Sequence, residues 1–178
     1  MKMFFVFAFL VLFAMFLSGL YGIVHDQISY TVSPEYFTKF KFQEFGIAEM
    51  NLPDRVRASI VGFLASWWMG IPIGLLVGGS GFIHPSYQRM LKVSLMAFGL
   101  VIAITLSFGL CGLLYGYHET RTINLENYQG WFIPKDVMNL RRFLCVGYMH
   151  NASYLGGTLS IFIASIFQVV VRIKDASR

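Results

Sequence analysis

The chain has 178 residues and a net charge of +5, with 13% charged and 56% hydrophobic residues. Soluble domains carry about 25% charged residues, so this composition excludes a soluble enzyme, a disordered chain and a secreted disulfide scaffold. The 14 basic and 9 acidic side chains fall in five short regions, leaving four uncharged blocks at 3–24, 58–83, 93–117 and 143–171.

A hydrocarbon core about 30 Å thick needs about 20 apolar residues in a helix. Each block is long enough, and helices satisfy their backbone groups within lipid. The first block follows Lys2 and is longer than a secretory leader's core of about 7 to 15 residues. It ends in Leu20-Tyr21-Gly22-Ile23-Val24 without a small-x-small cleavage pattern, which predicts a retained membrane helix.

Residues 25–57 form a long, phenylalanine-rich connection. Ile28 to Val32 alternates like a short strand, and Ser33-Pro34-Glu35 reads as a helix start with Ser as cap and Pro in the first turn. Lys39-Phe40-Lys41-Phe42 fits a strand or a helix equally. The second block carries Gly62, Ser66, Gly70, Gly74 and Gly78 at every fourth position. Such a stripe lets another helix approach closely, within the chain or across a homodimer seam. Pro72 should bend this helix.

Residues 84–92 make a short basic connection to the third block. Residues 118–142 contain a turn at Asn127-Tyr128-Gln129-Gly130-Trp131, and Pro134-Lys135-Asp136 reads as the start of a short helix. The fourth block repeats the small-residue device at Gly156, Ser160 and Ala164. Cys111 and Cys145 read as small packing residues rather than a disulfide.

With the N-terminus inside, Lys2, Arg89, Lys92, Arg172, Lys174 and Arg178 face the cytoplasm against Asp175 alone. Loops 25–57 and 118–142 then lie outside with balanced charge, which is the bias that fixes orientation. Both termini are expected in the cytoplasm of a cell with this protein in its inner membrane. Once the basic residues serve as flanks, nucleic acid is not an expected partner.

The same hairpin appears twice. Leu20-Tyr21-Gly22 with His25-Asp26 recurs as Leu114-Tyr115-Gly116 with His118-Glu119, and Met50-Asn51-Leu52 as Met138-Asn139-Leu140. Val61-Gly62-Phe63 recurs as Val146-Gly147-Tyr148, and Ala65-Ser66-Trp67 as Ala152-Ser153-Tyr154. The expected fold is therefore an all-α membrane protein of four transmembrane helices. Its two similar hairpins would be related by a pseudo-two-fold axis along the membrane normal, with the two outer loops as a small cap.

The copies diverge at His150-Asn151, and polar residues inside a membrane usually face protein or water. His25, Asp26, His118, Glu119 and His150 lie towards the outer side, an imidazole and carboxylate set suited to Zn, Fe, Mn or Cu. Asn151, Tyr148 and Tyr154 are candidates for orienting the rings. Adjacent His and Asp diverge on a helix, so one ion should take only part of each pair unless the chain unwinds. Haem ranks below a non-haem metal because no histidine pair faces across the bilayer centre. The competing expectation is a non-enzymatic subunit or assembly factor that binds a membrane-protein partner through its outer cap and small-residue faces.

Overall fold

The computed structural model describes residues 1–177, which are 82% helical with no strand. Four helices are long and apolar enough to cross a membrane: Lys2–Val32, Asp54–Ile83, Tyr87–Glu119 and Leu140–Ala176. The first packs mainly on the second and the third mainly on the fourth, so each sequence-adjacent pair forms a hairpin.

Local chemistry sets the helix ends. The first helix stops at Val32 because the residue before a proline avoids helical geometry, and Ser33 ahead of Pro34 is extended at φ −143°. The strand expected over Ile28 to Val32 is instead the last turn of this helix, since its backbone donors stay bonded within it. Pro34 does open a short helical turn, although Ser33 makes no side-chain cap. Helical backbone continues through Phe42–Glu44, which removes the strand alternative there, and Gly46 at φ +66° reverses the chain. Ser86 caps the third helix by accepting from the Arg89 N–H at 3.3 Å.

The fourth helix begins with Asn139 accepting from the Arg142 N–H at 3.1 Å. Glu35, from the other loop, accepts from the Met138 and Asn139 N–H groups at 2.9 and 2.8 Å. Lys39 pairs with Asp136, tying the loops together again. Residues 134–136 are turn and irregular backbone rather than the expected short helix. With Glu35 already serving the true helix start four residues on, Pro134 marks a turn.

Pro72 changes the second helix by altering its bonding. A 3-10 turn at Trp67–Met69 precedes it and a π-helical segment at Gly74–Gly78 follows. Proline supplies no donor to the preceding turn, and the ladder tightens and then widens around that gap. The π segment aims the Val77 carbonyl at fully buried Gln168, whose Nε2 donates to it and, at 2.8 Å, to Ser80 Oγ.

The small-residue stripe of the second helix faces the first helix. A Cβ at Gly62 would lie 2.6 Å from the Gly22 carbonyl carbon, and one at Gly74 would lie 2.7 Å from Val11 Cα. Gly112 and Gly116 receive the fourth helix in the same way, with Cys145 Cα 3.0 Å from a Cβ at Gly116. These stripes are thus used within the chain. Both cysteines are free; Cys111 is exposed and Cys145 buried.

Two buried clusters result. One joins all four helices through Leu10, Ala14, Val77, Phe98, Val101 and Ala164. The other folds Tyr36, Phe37, Phe42 and Ile47 from the first loop onto Ala58, Val61, Phe143 and Val146. The candidate site uses residues of the first and fourth helices beside this second cluster.

Candidate metal centre

His25 and Asp26 lie in the first helix with six residues still to follow, and His150 lies ten residues after the first residue of the fourth. Burial of the pair follows from that overrun. The helix continues past it to Val32, and the segment behind Pro34 folds back, placing the Tyr36 ring 5.0 Å from the His150 ring. His25 and Asp26 are 4% and 3% exposed.

One ligand atom from each of His25, Asp26 and His150 falls within 4.8 Å of the others. His25 Nδ1 is 3.1 Å from Asp26 Oδ1, and His150 Nε2 is 3.4 Å from the same oxygen. The imidazole rings meet edge to face with centroids 4.6 Å apart. The first helix does not unwind here. Both neighbours still reach the group because it sits between their two side-chain directions.

The hydrogen bonds fix where the lone pairs point. His150 Nδ1 lies 2.9 Å from the Val146 carbonyl, which can only accept, so Nδ1 carries the proton. In the neutral ring Nε2 then turns its lone pair towards the Asp26 carboxylate. His25 Nδ1 faces Asp26 and its buried Nε2 has no hydrogen-bond partner. With its proton on Nε2, His25 turns an Nδ1 lone pair towards the same carboxylate oxygen that the His150 lone pair faces.

A buried carboxylate facing a lone pair is costly unless positive charge lies between or beside them. Either a proton on His150 or a metal cation meets that need. A metal adds a use for the His25 lone pair, and a backbone carbonyl on the far nitrogen is the usual partner of a ligating histidine. Ligands bonded at about 2.1 Å to one ion lie about 3 Å apart at an octahedral right angle and about 3.4 Å apart in a tetrahedron. The His150–Asp26 separation fits the latter.

His118 and Glu119 are not brought into this group. They are the last two residues of the third helix and are exposed, with His118 Nδ1 3.6 Å from Glu119 Oε1. The third helix ends at this pair whereas the first continues beyond its counterpart, so the two pairs differ in burial. Asn151 is exposed, and Tyr148 packs against Trp131 and Tyr128 instead of the cluster. Tyr154 is 47% exposed but does line the cavity below the cluster. Tyr36 and Lys41 carried no signal of their proximity, because the fold-back through the short helix Pro34–Tyr36 and the π-helical turn Phe37–Lys41 places them.

The cavity beneath the cluster has a volume of about 90 Å³. Tyr21, Ser153 and Lys41 line it near the cluster, and the Tyr21 hydroxyl donates to Ser153 Oγ at 3.3 Å. Comparison with known protein families, curated proteins and solved structures finds no match for the chain. The functional reading therefore rests on these residues.

Proposed function

We propose that this polytopic membrane protein holds one transition-metal ion at His25, Asp26 and His150 and carries out redox or hydrolytic chemistry there. The observation that carries the reading is the convergence of two imidazoles and one carboxylate, with His150 anchored by the Val146 carbonyl. Three protein ligands leave coordination positions open, as catalytic sites do, whereas structural zinc sites are closed by four. Two His and one carboxylate suit Zn or non-haem Fe first, then Mn or Cu. Haem is set aside, because rings 4.6 Å apart leave no room for a macrocycle between them.

The basic inner segments support a site near the extracytoplasmic face of the inner membrane with both termini in the cytoplasm. A duplicated hairpin accounts for a glycine at the close helix approach in both copies, Gly22 on Gly62 and Gly116 on Cys145, while Gly147, the counterpart of Gly62, meets Trp131 instead. After duplication, only the first copy buried its His-carboxylate pair, and only the second supplied His150.

The test is metal content after stripping and controlled loading of detergent-purified protein with Zn, Fe or Mn. Wild type should take up about one equivalent of ion, as a single three-ligand site requires. His150→Ala and Asp26→Asn should lose it. His118→Ala should load normally, because its ring is outside the cluster. A wild type that stays empty, or a His150→Ala protein that loads fully, would overturn the assignment.

A further inference from the structure

The cavity beneath the cluster sets a size limit on what can lie against the ion. Its volume of about 90 Å³ is below the roughly 150 Å³ of a cavity known to accept a benzene ring, yet several times the roughly 10–15 Å³ that one water requires. A molecule of two or three heavy atoms fits there; a ring or a hydrocarbon chain does not. The lining is mixed. Hydroxyls of Ser18, Tyr21, Ser66, Thr105 and Ser153 contribute to it among mainly apolar neighbours.

Two of these hydroxyls belong to residues next to the ligand set. Tyr21 precedes His25 by four positions and Ser153 follows His150 by three, so each shares a helix face with a ligand and lies one turn deeper. The Tyr21 and His25 ring centroids are 5.8 Å apart. Ser153 Oγ accepts the Tyr21 hydrogen at 3.3 Å, which leaves its own hydrogen for an acceptor in the cavity. Thr105 differs, because its hydroxyl donates to the Val101 carbonyl at 2.7 Å. Charge narrows the choice further. A divalent ion with two neutral imidazoles and the Asp26 carboxylate sums to one positive charge, and a neutral sum is favoured where charges are removed from water. Lys41 also lines the cavity, but its charge is paired with Glu44 at 2.6 Å. We propose that the ion's open position faces this cavity and takes a monoanion of two or three heavy atoms, which accepts a hydrogen bond from Ser153 while Tyr21 holds that hydroxyl in place. This assignment, which rests on the metal centre proposed above, narrows its chemistry to small inorganic substrates, since lipid chains and peptides exceed the space beside the ion.

Azide, a linear anion of three heavy atoms, is the probe. It is titrated onto detergent-purified protein loaded with Co(II), whose visible bands report a change of ligand where Zn(II), with its filled d shell, is silent. Wild type should give a saturable spectral change at one site. Ser153→Ala should weaken azide binding about tenfold or more, as loss of a hydrogen bond to a charged group does, and Tyr21→Phe should weaken it less. The double variant should bind azide no more weakly than Ser153→Ala alone, because Tyr21 acts through Ser153. All three variants should keep full Co(II) content and the azide-free spectrum of wild type. Benzoate, with the same charge on a ring, should not compete, and acetonitrile, which is similarly slender but uncharged, should compete poorly.

Co(II)-loaded wild type without an azide response would overturn this inference and leave the metal centre standing. Unchanged affinity in Ser153→Ala would overturn the assigned donor, and additive losses in the double variant would overturn the role of Tyr21. Equal competition by benzoate would overturn the size limit, and equal competition by acetonitrile the charge requirement. Wild type that takes up no Co(II) would refute the metal centre and this ligand site with it.

Discussion

The contact between Gly22 and Gly62 gives the sharpest mechanical prediction. A methyl group added at Gly22 would lie 2.7 Å from the Gly62 carbonyl carbon and 2.5 Å from Ser66 Oγ. The serine hydroxyl can rotate away but the backbone cannot. Ordinary contact begins near 3.4 Å, and the Gly62 carbonyl oxygen lies closer than its carbon, so the two helices must part by at least about 0.7 Å, and gaps of 0.5–1 Å already forfeit about a quarter to a half of each dispersion contact along the seam. Overpacking costs about 1–3 kcal/mol, and a backbone obstacle places this case near 3. Replacing Gly by Ala inside a helix returns about 1 kcal/mol. Gly22→Ala should therefore lose about 2 kcal/mol, a fall in Tm of about 4–8 °C for a chain of this size. Cys145 is fully buried and supplies the reporter: in a Cys111→Ser background, thermal exposure of Cys145 is followed with a thiol-reactive fluorophore. Gly22 is one turn before Asp26, so metal loading should weaken as well. Gly99→Ala is the control, since nothing lies within 4 Å of its Cβ, and it should leave Tm unchanged or raise it. A Gly22→Ala protein as stable as wild type would refute the close-packed seam.

Gln168→Leu removes the donor that serves the Val77 carbonyl in the π segment and should cost about 1–3 kcal/mol, the penalty of an unsatisfied buried acceptor. A variant with unchanged Tm would show that the carbonyl finds another partner. Glu35→Ala frees the Met138 and Asn139 N–H groups and should cost about 1 kcal/mol, as loss of a helix cap does. Hydrogen exchange at residues 138–142 should rise, and unchanged exchange would remove Glu35 from that role. The hydrogen bond from Lys39 holds the Asp136 carboxyl below its usual range, and the same bond holds the Lys39 ammonium above its own. The link between the loops is thus intact at neutral pH. It is lost in acid, as pH falls through the lowered Asp136 value, and in alkali, as pH rises through the raised Lys39 value. Carbon NMR should show the Asp136 midpoint returning towards about 3.9 in Lys39→Ala, and a midpoint that does not move would refute the pairing.

The four crossings were legible in the sequence because absence of charge over a span's length has few other meanings in a helix. Their ends were less so. Hydropathy ceases at Val24, but hydrogen bonding carries the first helix on to Val32, and those added turns bury His25 and Asp26. The alternation of Ile28 to Val32 imitated a strand because a residue pattern of so few positions fits either period. His150 stood out as a polar residue in an apolar block. His118 and Glu119 drew equal notice by their likeness to His25 and Asp26, yet burial depends on what continues beyond the pair, and the third helix ends there. The role of Val146 was invisible, since every residue has a carbonyl and only the ring orientation selects one.

The position of His150 on the fourth helix, far along the chain from His25 and Asp26 on the first, has a consequence for biogenesis. While the ribosome is still making the fourth helix, the carboxylate on the first has no counter-charge from its eventual partner and must stay hydrated at the bilayer surface. The three residues come together only when the fourth helix docks, so on the proposed metal reading ion uptake follows that docking. On that reading, chains truncated before His150 would insert without acquiring the ion, and bound metal would mark chains whose first and fourth helices have docked.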